Sequence, residues 1–136
     1  IKSSITECVP DDTPVWVSTA MSFDQEWRFY IIDGNPVGYA RYDDLDSEDL
    51  EPPCAIVAKI ASDYYDAPVG YSLDMGYSGN QWSLIEANDG WALGYYRGGT
   101  MTLPLYMELI AKRWQQLNTL KTPHPVSPSV LGVTNP

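Results

Sequence analysis

The run Glu26-Trp27-Arg28-Phe29-Tyr30-Ile31-Ile32-Asp33-Gly34-Asn35-Pro36-Val37-Gly38-Tyr39-Ala40-Arg41-Tyr42 constrains the fold more than any other stretch of the chain. Its two arms are rich in aromatic and β-branched residues, which suit strands. Asp33-Gly34-Asn35-Pro36 between them is a turn signal. The run therefore reads as a β-hairpin. Trp27, Phe29 and Ile31 alternate onto one face and supply a core. A two-residue loop at Asp33-Gly34 sets Arg28 opposite Tyr39 and Arg41 opposite Glu26. A loop at Gly34-Asn35 sets Arg28 opposite Arg41. In both registers Glu26, Arg28, Tyr39 and Arg41 share a face. Two arginines there make a candidate anion site, with bidentate geometry available for phosphate or carboxylate. A cross-strand Glu–Arg pair on the surface is the plainer alternative.

The rest of the chain extends this pattern. Pro14 to Thr19 reads as a strand, and Asp43 to Glu51 as an acidic loop. Pro52 and Pro53 suit the first turn of a helix, in which Ile56, Val57, Ile60 and Tyr64 recur at helical spacing before Ala67-Pro68 ends it. Gly70 to Met75 alternates like a strand, Ser78-Gly79-Asn80 turns, and Trp82 to Asn88 returns. Thr102 caps a last helix with Pro104 in its first turn and Tyr106, Leu109, Ile110, Trp114 and Leu117 as its apolar stripe. Strands, helix, strands, helix is an α+β order: a mainly antiparallel sheet with two helices packed on it. Residues 1–121 form one lobe, and 122–136 a Pro-rich tail.

Glu86 and Asn88 lie two apart and share a strand face. Asp74 joins them only if the connecting loop is odd or a bulge intervenes. Two carboxylates and an amide oxygen are hard ligands, suited to Mg²⁺ held together with substrate phosphates. An ordinary solvated sheet face accounts for the same residues.

Composition removes several other classes. Eight Lys and Arg against eighteen Asp and Glu leave a net charge of -10. That argues against nucleic acid or an anionic membrane as partner. Cys8 and Cys54 read as free thiols of a reducing cytoplasm, and two Cys with His124 do not make a zinc site. No nucleophile stands beside a base.

In their order and separations these residues look like the second half of an ATP-grasp domain. The resemblance rests on Ser18 and the Glu26–Tyr42 hairpin, on Leu73-Asp74-Met75-Gly76, and on Trp82 to Gly90. It is closest to a small bacterial and phage clade whose motif runs Glu-x-Asn-Asp-Gly-x-x-x-Gly-x-Tyr, here Glu86 to Tyr96. The resemblance implies the C-terminal lobe of that fold. It also implies N-terminal lobes before Ile1, where the chain begins without Met. It implies an ATP- and Mg²⁺-dependent ligase that turns a small-molecule or peptide carboxylate into an acyl phosphate and passes it to an amine or thiol. By similarity Asp74, Glu86 and Asn88 hold Mg²⁺, and Arg28 and Arg41 stabilise the transferring group. Lys2 reaches the nucleotide phosphates, and Val17-Ser18-Thr19-Ala20 form the hinge against adenine. No nucleophile is then expected, since phosphoryl transfer needs positioning and charge neutralisation. A non-catalytic module is the alternative: five Trp and ten Tyr can supply a face that stacks sugars or peptides, with Trp16, Trp27 or Trp91 on it. A decayed ligase fragment is the third reading.

Overall fold

The computed structural model describes Pro10, residues 12–14, Val17 and residues 19–121. Asp33 and Gly34 turn the first hairpin with φ of 50° and 75°. Left-handed backbone at both positions matches the twist of the strands it joins. It links β1 (Gln25–Ile32) to β2 (Asn35–Arg41). Gly79 and Asn80, with φ of 57° and 64°, do the same for β3 (Gly70–Ser78) and β4 (Gln81–Asp89). The strands form one antiparallel sheet in the order β2-β1-β3-β4. Helix α1 (Cys54–Asp63) lies between the hairpins in sequence, and α2 (Leu103–Lys121) follows β4 through a short 3-10 turn at Gly90–Ala92. This is the α+β arrangement expected from the sequence.

Each face of the sheet has its own cluster. Trp27, Phe29 and Ile31 of β1 and Tyr71, Leu73 and Met75 of β3 bury one face against Val57 and Ala61 of α1. On the other face Tyr30 and Ile32 pack with Leu93, Met101 and Leu109 of α2. Polar contacts hold α2 in place. Arg113 makes a two-pronged pair with Asp89 at 2.7 and 2.5 Å. Lys112 pairs with Asp33 at 2.6 Å, and Gln116 accepts from the backbone of Val69 at 3.0 Å. Thr102 caps α2 as expected, accepting from Leu105 N at a long 3.5 Å. The outer edge of β2 is covered by residues 98–101, where Thr100 N and Met101 N both donate to Tyr39 O at 2.9 and 3.2 Å.

Several local expectations change. Pro14, Val17 and Thr19 carry no strand, and Val17 is exposed; Val15, Trp16 and Ser18 lie outside the described residues. Pro53 caps α1, so both prolines precede the helix rather than fill its first turn. Its buried face is Val57 and Ala61, with Ile56 and Tyr64 exposed. Trp114 is 47% exposed, because Arg113 and Gln116 turn a polar edge of α2 toward the sheet and leave Trp114 outside it. Tail residues 122–136, His124 among them, lie outside the described residues, as does Cys8; Cys54 is a free, exposed thiol.

Candidate active site

Two bulges decide which side chains meet. In the first hairpin Ile31 faces Pro36 and Tyr30 faces Gly38, so Val37 is an extra residue on β2. Past such an insertion the residues of one strand change sides relative to a simple hairpin. Trp27 then faces Arg41 and Phe29 faces Tyr39, while Arg28 faces Ala40. The expectation that Glu26, Arg28, Tyr39 and Arg41 share a face is therefore corrected. The loop is the two-residue Asp33-Gly34, but the bulge sends Tyr39 and Arg41 to the α1 face. In the second hairpin Met75 faces Leu84 and Asp74 faces Glu86, with Ile85 the extra residue. Here the insertion brings Asp74 onto the face of Glu86 and Asn88. The three-residue Ser78-Gly79-Asn80 loop, which would have set Asp74 opposite Leu84, does not form.

The result is a polar row on the α2 face of the sheet, beyond the part that α2 covers. Arg28 and Asp74 face each other on β1 and β3 and join as a fork: Nε donates to Oδ1 at 2.8 Å and Nη2 to Oδ2 at 2.6 Å. Both are buried, Arg28 at 9% exposure and Asp74 at 1%. Asn88 Nδ2 donates to Asp74 Oδ2 at 3.3 Å and to Glu86 Oε1 at 2.9 Å. Burial pushes the Asp74 carboxyl above the ordinary carboxylate range and the nearby Glu86 pushes the same way, while the Arg28 fork pulls it down. The fork also holds the Arg28 guanidinium more firmly protonated than usual. Two short parallel bonds to a permanent cation favour the ionised form of Asp74. Asp74, Glu86 and Asn88 are thus brought together, with Arg28 beside them.

Aromatic rings fix the guanidinium from the other side. Arg28 Cζ lies 5.1 Å from the Tyr96 ring centre and 5.6 Å from that of Tyr42. The two rings stack on each other at 5.1 Å. Such cation–π contacts hold a cation by the ring quadrupole. Tyr30 OH donates to Gly94 O and accepts from Tyr96 N, each at 3.0 Å, which anchors the loop that carries Tyr96. Burial raises the pKa of the Tyr42 hydroxyl, as does its hydrogen bond with Glu26. Of these residues Tyr30 was legible from strand alternation with Arg28, and Tyr96 closes the Glu86–Tyr96 motif. Tyr42 was hidden by the bulge.

Arg41 does different work. Its guanidinium gathers the acidic loop, donating to both Asp43 oxygens at 2.8 and 2.7 Å, to Asp49 at 2.9 Å, and to the carbonyls of Leu45 and Ser47. Gln25 fastens the same loop through Glu48 O and Leu50 N. The Arg41 bonds hold the Asp43 carboxyl at about 2, below its ordinary 3.8, against the pull of burial and with help from the amides of Glu26 and Leu45. A carboxylate depressed by folding adds stability above its unfolded pKa and loses it as pH falls through the folded value. Thermal melts should therefore drop between about pH 4 and pH 2. Asp43→Asn should flatten that slope. Arg41→Met should cost about 2 kcal/mol at neutral pH, by stranding loop acceptors. An Asp43→Asn protein with an unchanged acid slope would remove this role.

Thr19 and Ala20, like Val17, are exposed and outside any regular element. Lys2 and Ser18 lie outside the described residues. Among the described residues no three His, Cys, Asp or Glu side chains gather as a metal cluster, so the donor set here is two carboxylates and one amide. No described helix is long and apolar enough to cross a membrane.

No curated protein and no solved structure gives a significant match to the chain. One family model does match, over residues 3–117, and its description is ATP-grasp domain, R2K clade family 3. With that match spanning most of its length, and with the acidic pair and Asn88 assembled beside Arg28, the chain belongs to the ATP-grasp domain family of the R2K clade.

Proposed function

We propose that the chain carries the metal-binding part of an ATP- and Mg²⁺-dependent ligase that joins a carboxylate to an amine or thiol through an acyl phosphate. Membership of the ATP-grasp family supports an ATP-dependent ligase type of domain. The observation that carries the finer reading is the meeting of Asp74, Glu86 and Asn88 at the end of the sheet that α2 leaves open.

The donor set fits a hard divalent cation. Mg²⁺ is held by one or two carboxylates and completes its octahedron with water and phosphate oxygens. Asp74 and Glu86 supply the carboxylates, and Asn88 supplies its amide oxygen once the amide turns. A bound Mg²⁺ would neutralise the charge on the phosphates. Arg28 orients Asp74 through the fork and adds fixed positive charge at the same point. Tyr42 and Tyr96 keep that guanidinium from swinging away. Arg41, on the far face, serves this site at a distance by shaping the loop that follows Tyr42. The hinge role of Val17, Ser18, Thr19 and Ala20 and the phosphate contact of Lys2 belong to the same reading. So do a small-molecule or peptide carboxylate as substrate and an amine or thiol as acceptor.

Calorimetric titration with Mg²⁺-ATP tests it. The chain should show magnesium-dependent binding, and Glu86→Ala with Asn88→Ala should weaken it at least tenfold, the scale of losing metal ligands. Binding that survives the double substitution unchanged, or that ignores magnesium, would overturn this assignment.

A further inference from the structure

Ser72 stands directly across the strand pair from Asn88, on the same face of the sheet. It is completely buried, and its Oγ has no hydrogen-bond partner. A buried hydroxyl without a partner costs about 1–3 kcal/mol. Residues directly opposite in an antiparallel pair have Cβ atoms about 5 Å apart, close enough for a hydroxyl to meet a neighbouring amide.

Asn88 supplies the reason for an acceptor there. Its Nδ2 points at both carboxylates, Asp74 Oδ2 and Glu86 Oε1. An amide so placed offers donors to the two acids and keeps its own oxygen away from them. To serve as a cation ligand beside Asp74 and Glu86, the amide must turn over and present Oδ1. Its two N–H groups then leave the carboxylates and need a new acceptor, and the buried Ser72 hydroxyl is the unpartnered one across the strand pair.

We propose that Ser72 is the positioning residue for this turn: its Oγ receives the Asn88 Nδ2 when Oδ1 faces the cation. The idea rests on the metal-site reading above. The vacant hydroxyl and the misdirected amide are two halves of one rearrangement. In the turned state Ser72 gains its missing bond, and Asn88 keeps a satisfied amide while its oxygen faces the cation held between the acids. Ser72 touches neither cation nor substrate in this scheme and acts only through Asn88.

The test uses Mn²⁺ as the probe, with free Mn²⁺ followed by electron paramagnetic resonance, so that no turnover is needed. The wild-type chain should bind Mn²⁺, and Ser72→Ala should weaken it by about tenfold, as removal of an outer-sphere partner does. In an Asn88→Asp background, which has no amide to reseat, adding Ser72→Ala should change the Mn²⁺ affinity less than twofold. Without metal, Ser72→Ala should melt at the wild-type temperature or above, since it deletes an unsatisfied hydroxyl. The side-chain NH₂ signal of Asn88 should shift on adding Mg²⁺ to the wild type and shift differently in Ser72→Ala. Wild-type affinity in Ser72→Ala, or the same loss in both backgrounds, would overturn the role of Ser72 and leave the metal site standing. A wild-type chain that binds no Mn²⁺ would overturn the metal site itself, and this proposal with it.

Discussion

Replacing Arg28 with Met will lower the stability of the fold by about 3–5 kcal/mol, because it strands a buried carboxylate. Asp74 is 1% exposed and takes two short bonds from Arg28. Without Arg28 the carboxylate keeps only the long 3.3 Å bond from Asn88. For a domain of this size the loss corresponds to about 10–20 °C in melting temperature. Arg28→Lys keeps the charge but gives up the fork and the ring contacts, and falls between the two. The double variant Arg28→Met with Asp74→Asn removes both charges and should recover a large part of the loss, since a neutral pair carries far less desolvation penalty. The pH response gives an independent sign. In wild type the fork pulls the Asp74 carboxyl down against burial. Burial already raises that carboxyl in the wild type, and without the fork burial and Glu86 push it higher still. A raised carboxyl pKa means that the folded state takes up a proton first, so stability grows as pH falls through that value. Arg28→Met should therefore lose less, relative to wild type, at pH 5 than at pH 8. Urea unfolding at both pH values measures this. A loss under 1 kcal/mol, or a double variant worse than the single one, would show that the fork does not hold β1 to β3.

Much of the architecture was written in local chemistry. Alternation of Trp27, Phe29 and Ile31 gave a buried face, and Asp33-Gly34 gave the two-residue turn. What the sequence concealed was register past the turns. A bulge adds one residue without a required residue type, and here the extra residues are Val37 and Ile85. Neither is a glycine or any other marker. One bulge took Arg41 and Tyr39 away from Arg28, and the other delivered Asp74 to Glu86. Arg28 and Arg41 looked like one anion site because counting from the turn assumes an uninterrupted ladder. The Asp74–Glu86–Asn88 grouping was foreseeable as a conditional only. The choice lay in long-range packing, where Tyr71, Leu73 and Met75 must all face α1. Tyr42 and Ser72 carry no motif at all. One is found by its ring against Arg28, the other by its unmatched hydroxyl.

Gly90→Ala should cost at least about 3 kcal/mol and weaken cation binding along with the fold. Gly90 opens the turn that follows β4, two residues after Asn88. A Cβ there would lie 2.4 Å from Gly70 O and 2.8 Å from Gly70 C, with Leu109 Cδ2 at 2.9 Å. Two of these three atoms are backbone of Gly70, which pairs with Ile32 of β1 at the start of β3, so the neighbour cannot easily step aside. Overpacking a core normally costs about 1–3 kcal/mol, and a clash with immovable backbone lies at the upper end or beyond it. The strand end must then move outward. That movement drags on Asp89, whose pair with Arg113 ties α2 to the sheet, and on Asn88, whose amide bridges the two acids. Gly79→Ala separates this effect from ordinary glycine chemistry. Gly79 has φ of 57°, yet a Cβ there meets nothing within 4 Å. Its only cost is the left-handed backbone, about 1–2 kcal/mol, and it sits at the far end of the hairpin from Asn88. Denaturant unfolding and Mn²⁺ titration of both variants should show Gly90→Ala losing stability and affinity together, and Gly79→Ala losing a little stability alone. Equal losses would mean that the contact between Gly90 and Gly70 does not position the site, and that β4 is held by its own ladder instead.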